Sequence, residues 1–280
     1  MSTRSSADAP PTTGRRRTVA ASSWLRRPLM VLGLPTVLVI VWWLTSERAD
    51  SFYFPPLSEI VGLFGKTWLE SDRLTHDVLP SISRLLIAYG LALLIGIALG
   101  VAIGLSRALR AITEPVLEFF RAVPPPVLVP VLMLFLGIGA PMKIWVIVFG
   151  TVWPILLNTI EGVRAFDEVL RDTVKSYRLG PARRLVITLP GASPQIVTGA
   201  RQALAIAVIL MVLSEMFAAN EGLGYTVVFF QRSFAIPEMW SGIIVLGLLG
   251  VILSLIFRLI ERRLLFWYHG QRQSQRGGNR

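Results

Sequence analysis

Long apolar runs that end in clusters of arginine constrain this chain more than anything else in it. Such runs lie at about 28–45, 81–105, just beyond Pro130, 144–160, 195–216 and 239–257. An apolar run of about 20 residues is long enough, as a helix, to cross a hydrocarbon layer roughly 30 Å thick. Inside lipid every backbone N–H and C=O must find a partner within the protein, so such runs fold as helices. The residues are 53% hydrophobic and only 16% charged, which excludes an ordinary soluble domain. The expected fold class is therefore an all-α membrane protein with about six transmembrane helices. The net charge of +11 does not point to nucleic acid, because the basic residues sit at the ends of apolar runs rather than in one interleaved patch. No cysteine is present, so disulfides, thiolate metal sites and cysteine nucleophiles are excluded.

Residues 1–27 are rich in Ser, Thr, Ala and Pro and carry six arginines, the composition of a disordered basic tail held at the inner membrane face. The run at 28–45 exits through WWLTSERAD without a small-x-small cleavage site, so it reads as a retained first span. Within the polar segment that follows, SEIVGLFGKTWLE has helical spacing and suits the outer membrane surface. Its Gly65-Lys66-Thr67 is no phosphate loop, since Ile60 stands where the leading glycine is needed. Gly96, Gly100 and Gly104 recur every four residues in the second span, a stripe that lets another helix approach closely. Arg107 and Arg110 mark a return to the inner side. Pro124, Pro125, Pro126 and Pro130 predict a third span that enters through a broken segment and is regular only beyond Pro130.

The fourth span carries Trp153-Pro154 and Asn158, the latter a candidate for lining a path. In the fifth, 13 residues separate Arg201 from Glu215. They span about 20 Å of helix, less than the hydrocarbon thickness, so at least one charge must snorkel, face a cavity or find a partner. Arg201 is expected to reach the inner interface. Glu215, beside Ser214, reads either as a polar group at the mouth of a path or as an ordinary helix end at the outer interface. The segment NEGLGYTVVFFQRSFAIPE suits a re-entrant or surface piece, and the last twelve residues, 269–280, form a second basic tail beyond Trp267 and Tyr268.

Charge then orients the chain. Of the 28 basic residues, 21 fall on one side of this arrangement and five on the other, with Arg84 and Arg201 at span ends. That imbalance places both termini in the cytoplasm, together with the loop between the fourth and fifth spans.

That loop, about 162–194, reads GVRAFDEVLRDTVKSYRLGPARRLVITLPGASP. Val163, Phe166, Val169, Leu170 and Val174 follow amphipathic helical spacing, Gly180-Pro181 breaks it, and a short apolar run closes on Leu189-Pro190. The pattern fits a helix–turn–helix presenting a face outside the bilayer, and also a solvated connector.

The loop resembles the cytoplasmic coupling loop of permease subunits of bacterial ATP-binding-cassette importers, E-A-A-x-x-x-G, nine residues, then I-x-L-P. DTVKSYRLG is similar to the version in the nitrate, sulfonate and taurine branch, roughly EVARSYGLS. In this register Asp172 takes the acidic slot, Thr173 and Val174 the small ones and Arg178 the glycine slot; Ile187, Leu189 and Pro190 match the close. Counting back from Leu189-Pro190 instead puts the acidic slot on Arg171 and the glycine slot on Tyr177. Neither register supplies the glycine, and Gly180 stands nearby. FPPLSEI, RAVPPPVLVPVLMLFLGIG and SEMFAANEGLGY resemble three further motifs of the branch in its order, so the similarity covers roughly residues 28–268.

The resemblance implies a transmembrane domain, 28–268, that forms a translocation path as a homodimer in the bacterial inner membrane. It implies a cytoplasmic ATPase subunit docked on Arg171, Asp172, Thr173, Val174, Lys175, Ser176, Tyr177, Arg178, Leu179, Gly180, Leu189 and Pro190. An extracytoplasmic solute-binding protein would deliver a small anionic solute such as an aliphatic sulfonate, taurine or nitrate. On this reading the chain is not an enzyme and holds no cofactor or metal, since ATP binds the partner. An ABC permease for a vitamin precursor is an alternative. An ion-coupled secondary transporter is the rival from another class, but its intramembrane acids are scarce here. His76 and His269, the two histidines, lie outside the spans, which leaves no constellation for a membrane enzyme.

Overall fold

The computed structural model describes residues 22–49, 51–165, 176–177, 180–217 and 219–268. The chain divides into two compact units, residues 1–58 and 59–280. The regular structure of the described residues is helical.

The first unit is built on α1 (Ser22–Ser46), 25 residues and so about 37 Å long. Leu34, Leu38, Val41 and Leu44 are all exposed on it, the surface expected of a helix whose solvent is lipid. Its C-terminal end is tied down by polar contacts. The buried Ser46 hydroxyl accepts a hydrogen bond from the Leu57 backbone at 3.1 Å, and Ser58 donates to Glu47 at 2.5 Å.

The second unit opens with most of the short helix α2 (Leu57–Phe64), followed by α3 (Leu79–Leu105), α4 (Arg107–Ala122), α5 (Leu128–Leu136) and α6 (Ala140–Arg164). After the loop come α7 (Pro181–Phe217), α8 (Leu223–Arg232) and α9 (Ile236–Leu264). Four helical segments, Leu74–Leu105, Ala140–Arg164, Leu185–Phe217 and Ile236–Leu264, are long and apolar enough to cross a membrane. A fifth crossing results if α4 and the Pro125–Leu136 segment, bent by 76°, count as one span. The apolar part of α1, Gly33–Ser46, is shorter than a full crossing among the described residues.

Packing explains why the bent pair is needed. A Cβ on Gly96 would come within 2.8 Å of Ile155, one on Gly100 within 2.6 Å of Thr159, and one on Gly104 within 2.8 Å of Val163. Each step of four on α3 matches a step of four on α6, so the two helices run parallel in close contact. The small-residue stripe is a helix interface, as its spacing predicts. Gly90, off the stripe, has nothing within 4 Å. Parallel helices put the end of α3 and the start of α6 on opposite faces, so α4 and α5 must carry the chain back. α7 lies antiparallel against α6, with Gly162 against Ala192 and Gln195, and Gly199 against Pro154 and Asn158.

Two local expectations are corrected. The third segment is helical again from Leu128, not only beyond Pro130, because Pro130 falls in the first turn of α5, where no intrahelical N–H partner is required. The run closing on Leu189-Pro190 is not a separate short helix; α7 continues through Pro190 and Pro194. Pro194 cannot donate to the Pro190 carbonyl, and the Ser193 hydroxyl fills that vacancy at 2.8 Å. The expected surface piece after Glu221 is α8, which buries Leu223, Gly224, Thr226 and Phe230.

Candidate functional site

The pattern on α4 generates one wall of a groove. Arg107, Arg110, Glu114, Glu118 and Arg121 recur at intervals of three and four, placing all five charges along one stripe. Ile112, Val116 and Phe119 form the opposite, exposed apolar stripe. Leu117 packs against the Ile103, Leu156 and Ile160 cluster, and Phe120 stacks on Trp153 with ring planes 6° apart. These contacts hold the end of α4 over α6 and leave a groove of about 550 Å³ lined by Glu118, Arg121, Trp153, Asn158 and Gln202, with Pro154 and Leu157 among its apolar lining.

Polar groups in the groove are partly engaged with one another. Arg121 donates to Glu118 Oε2 from Nε at 2.9 Å and from Nη2 at 2.6 Å. Asn158 Nδ2 donates to the Pro154 carbonyl at 2.8 Å and to Gln202 Oε1 at 3.3 Å. The indole N–H of Trp153 is shut from solvent and has no hydrogen-bond partner among the described residues. Asn158, singled out from sequence, is therefore in the groove. Glu118, Arg121 and Gln202 were not, although for Glu118 and Arg121 the 3-4 spacing of charges on α4 was there to be read.

Ser214 and Glu215 lie elsewhere. Both are buried, where the C-terminal end of α7 meets the start of α3 and α8. The Ser81 hydroxyl sits 2.7 and 2.9 Å from the two Glu215 oxygens, and it accepts the Leu223 N–H at 2.9 Å. The Gly224 N–H donates to Glu215 at 3.0 Å. Arg84 Nη2 stands 3.2 Å from Glu215, and its Nη1 is 3.1 Å from Glu221. Asp77 accepts the Gly222 N–H at 3.1 Å, while Lys143 at the start of α6 is buried and interacts electrostatically with Arg84, Glu215 and Glu221. Glycine is obligatory at position 222: its φ is +116°, and a Cβ would meet the Glu215 carboxylate at 2.5 Å. One at Gly224 would strike the Val212 carbonyl at the same distance. The EGLG run is thus the backbone half of a buried polar knot joining α3, α6, α7 and α8. Arg201 also finds a partner, forming an ion pair with Glu261 of α9.

Of the loop residues, Arg171, Asp172, Thr173, Val174, Lys175, Arg178 and Leu179 lie outside the described residues. Ser176, Tyr177 and Gly180 are described and exposed. At the loop's base Leu189 packs on Val101, Val163 and Ala192, and Pro190 is exposed. The loop thus springs from a tightly packed α6–α7 pair.

Helices long and apolar enough to cross a membrane thus pack around a parallel α3–α6 pair, beside a groove with polar side chains in its lining. Residues 92–266 match the model of the binding-protein-dependent transport system inner membrane component family, and the chain belongs to that family. It is thus a multi-pass inner-membrane permease of the ABC importer class, a transport component rather than an enzyme. Among curated relatives it is 32% identical to the taurine transport system permease protein of Escherichia coli (strain K12) over 89% of this chain and 92% of that one. It is 27% identical to a putative aliphatic sulfonates transport permease protein of Bacillus subtilis (strain 168), over 84% and 86% of the two chains. A bicarbonate transport system permease protein of Synechococcus elongatus (strain ATCC 33912 / PCC 7942 / FACHB-805) is 28% identical, covering 79% and 78%. In fold it is similar to a chain of the inward-facing MetNI methionine ABC transporter, with a TM-score of 0.60, 18% identity and coverage of 67% and 94%.

Proposed function

We propose that the chain is the permease subunit of an ATP-driven importer for a small sulfonate-type solute such as taurine. Two copies form the path, a cytoplasmic ATPase docks on the loop between α6 and α7, and an extracytoplasmic binding protein delivers the solute. The observation that carries this reading is the near-full-length relationship to a taurine permease. Topology supports it. The second unit makes five crossings when α4 and α5 count as one, so an inner N-terminus requires α1 as a sixth, consistent with the inner arginine clusters. The groove at Asn158 is the solute-facing wall. The knot at Glu215 holds the opposite end of the helices together and does not touch solute.

Reconstituted with its ATPase and binding protein in vesicles, the chain should import taurine only when ATP is supplied; ATP-independent uptake would overturn the reading. Tyr177→Ala with Leu179→Ala should lower uptake at least tenfold while ATP hydrolysis continues, and unchanged uptake would remove the docking role. Because the chain has no cysteine, Ser176→Cys gives one unambiguous label. A membrane-impermeant maleimide should reach it only from the cytoplasmic side.

A further inference from the structure

We propose that the Glu118–Arg121 pair makes the groove selective for solutes carrying a positive and a negative group a few ångström apart, over simple anions of the same size. This rests on the reading that the groove faces the solute. The charges lining it are one carboxylate and one guanidinium, so its net charge is zero. Arg121 spends Nε and Nη2 on a single oxygen of Glu118, Oε2. That leaves Glu118 Oε1 and Arg121 Nη1 without partners among the described residues, one acceptor and one donor side by side at the groove. Both side chains are about half exposed, so neither is used up in packing. Across the groove Gln202 accepts from Asn158 through Oε1, which leaves its Nε2 donor free among the described residues.

These groups complement a dipolar solute. A sulfonate reaches Arg121 Nη1 and the Gln202 amide, while an ammonium two carbons away reaches Glu118 Oε1. A plain monoanion gains the first contact but brings its charge beside the carboxylate oxygen that has no hydrogen-bond partner, without an ammonium to engage it, and like charges at this range repel. Discrimination thus comes from a repulsive element as much as from an attractive one.

The test uses the whole transporter in vesicles, with taurine and ethanesulfonate as probes, which differ by the ammonium group. One binding protein delivers both, so dividing each variant's uptake by that of the unaltered chain cancels its preference. Glu118→Gln should lower the taurine-to-ethanesulfonate ratio at least tenfold, and Glu118→Asp, which keeps the carboxylate, should largely preserve it. Arg121→Gln should lower uptake of both probes. Glu114→Gln, one turn away on the same stripe but outside the groove, should leave the ratio unchanged. If Glu118→Gln changes both probes by the same factor, or neither, the selectivity role is overturned while the permease reading stands. If the unaltered transporter imports neither probe, the sulfonate reading falls and this inference with it.

Discussion

The molecule contains the same ion pair in two settings. Arg84 and Glu215 meet with side-chain exposures of 6% and 1%, while Arg121 and Glu118 meet at 47% and 57%. The first pair joins elements far apart in sequence and is wrapped in backbone N–H donors from Gly224 and, through Ser81, Leu223. The second joins two residues on one helix face and has oxygen and nitrogen to spare. A buried pair is costly to form, and removing one partner strands the other charge. An exposed pair contributes little to folding and stays available to a third party. Burial, rather than residue identity, separates a sealed ion pair from one left open at a groove.

The sharpest way to break this comparison is to remove one partner of the buried pair. Glu215→Ala should cost about 3–5 kcal/mol, seen as a large drop in the unfolding midpoint of the purified protein. Replacing Arg84 and Glu215 together by methionine should recover much of the loss, and a double-mutant cycle measures how much. Next in size is Gly100→Val, which drives two methyl groups into Thr159 on α6 and should cost about 1–3 kcal/mol or more. Gly90→Ala, in open space on the same helix, should be neutral or slightly stabilising in the same assay. Ser81→Ala strips Glu215 of its hydroxyl donor and the Leu223 N–H of its acceptor, a loss of about 1–3 kcal/mol. Glu118→Ala should also cost little, below about 1 kcal/mol by thermal unfolding. A larger destabilisation there would erase the contrast between the two pairs.

Much of this was legible from local pattern. Periodic apolar runs announced the helices, and four-residue glycine spacing announced a close helix contact, because both depend only on which residues share a face. The distance between Arg201 and Glu215 required that at least one of them find a partner, a cavity or the interface. Their partners, Glu261 and Arg84, are 60 and 131 residues away in the chain, and no local rule identifies them. The same holds for Ser81 and Asp77, which are ordinary polar residues until α3 brings them to the EGLG turn. The prolines misled for the opposite reason: Pro190 reads as a stop, yet Ser193 and the packing of α7 on α6 keep the helix whole.

From its sequence alone the chain was committed to lipid and to helices, because hydrophobic length and periodicity act within a few turns. Which glutamate is sealed inside and which one faces a groove was decided by tertiary packing. Desolvation depends on what the remote helices cover, and that information is not carried by any one segment.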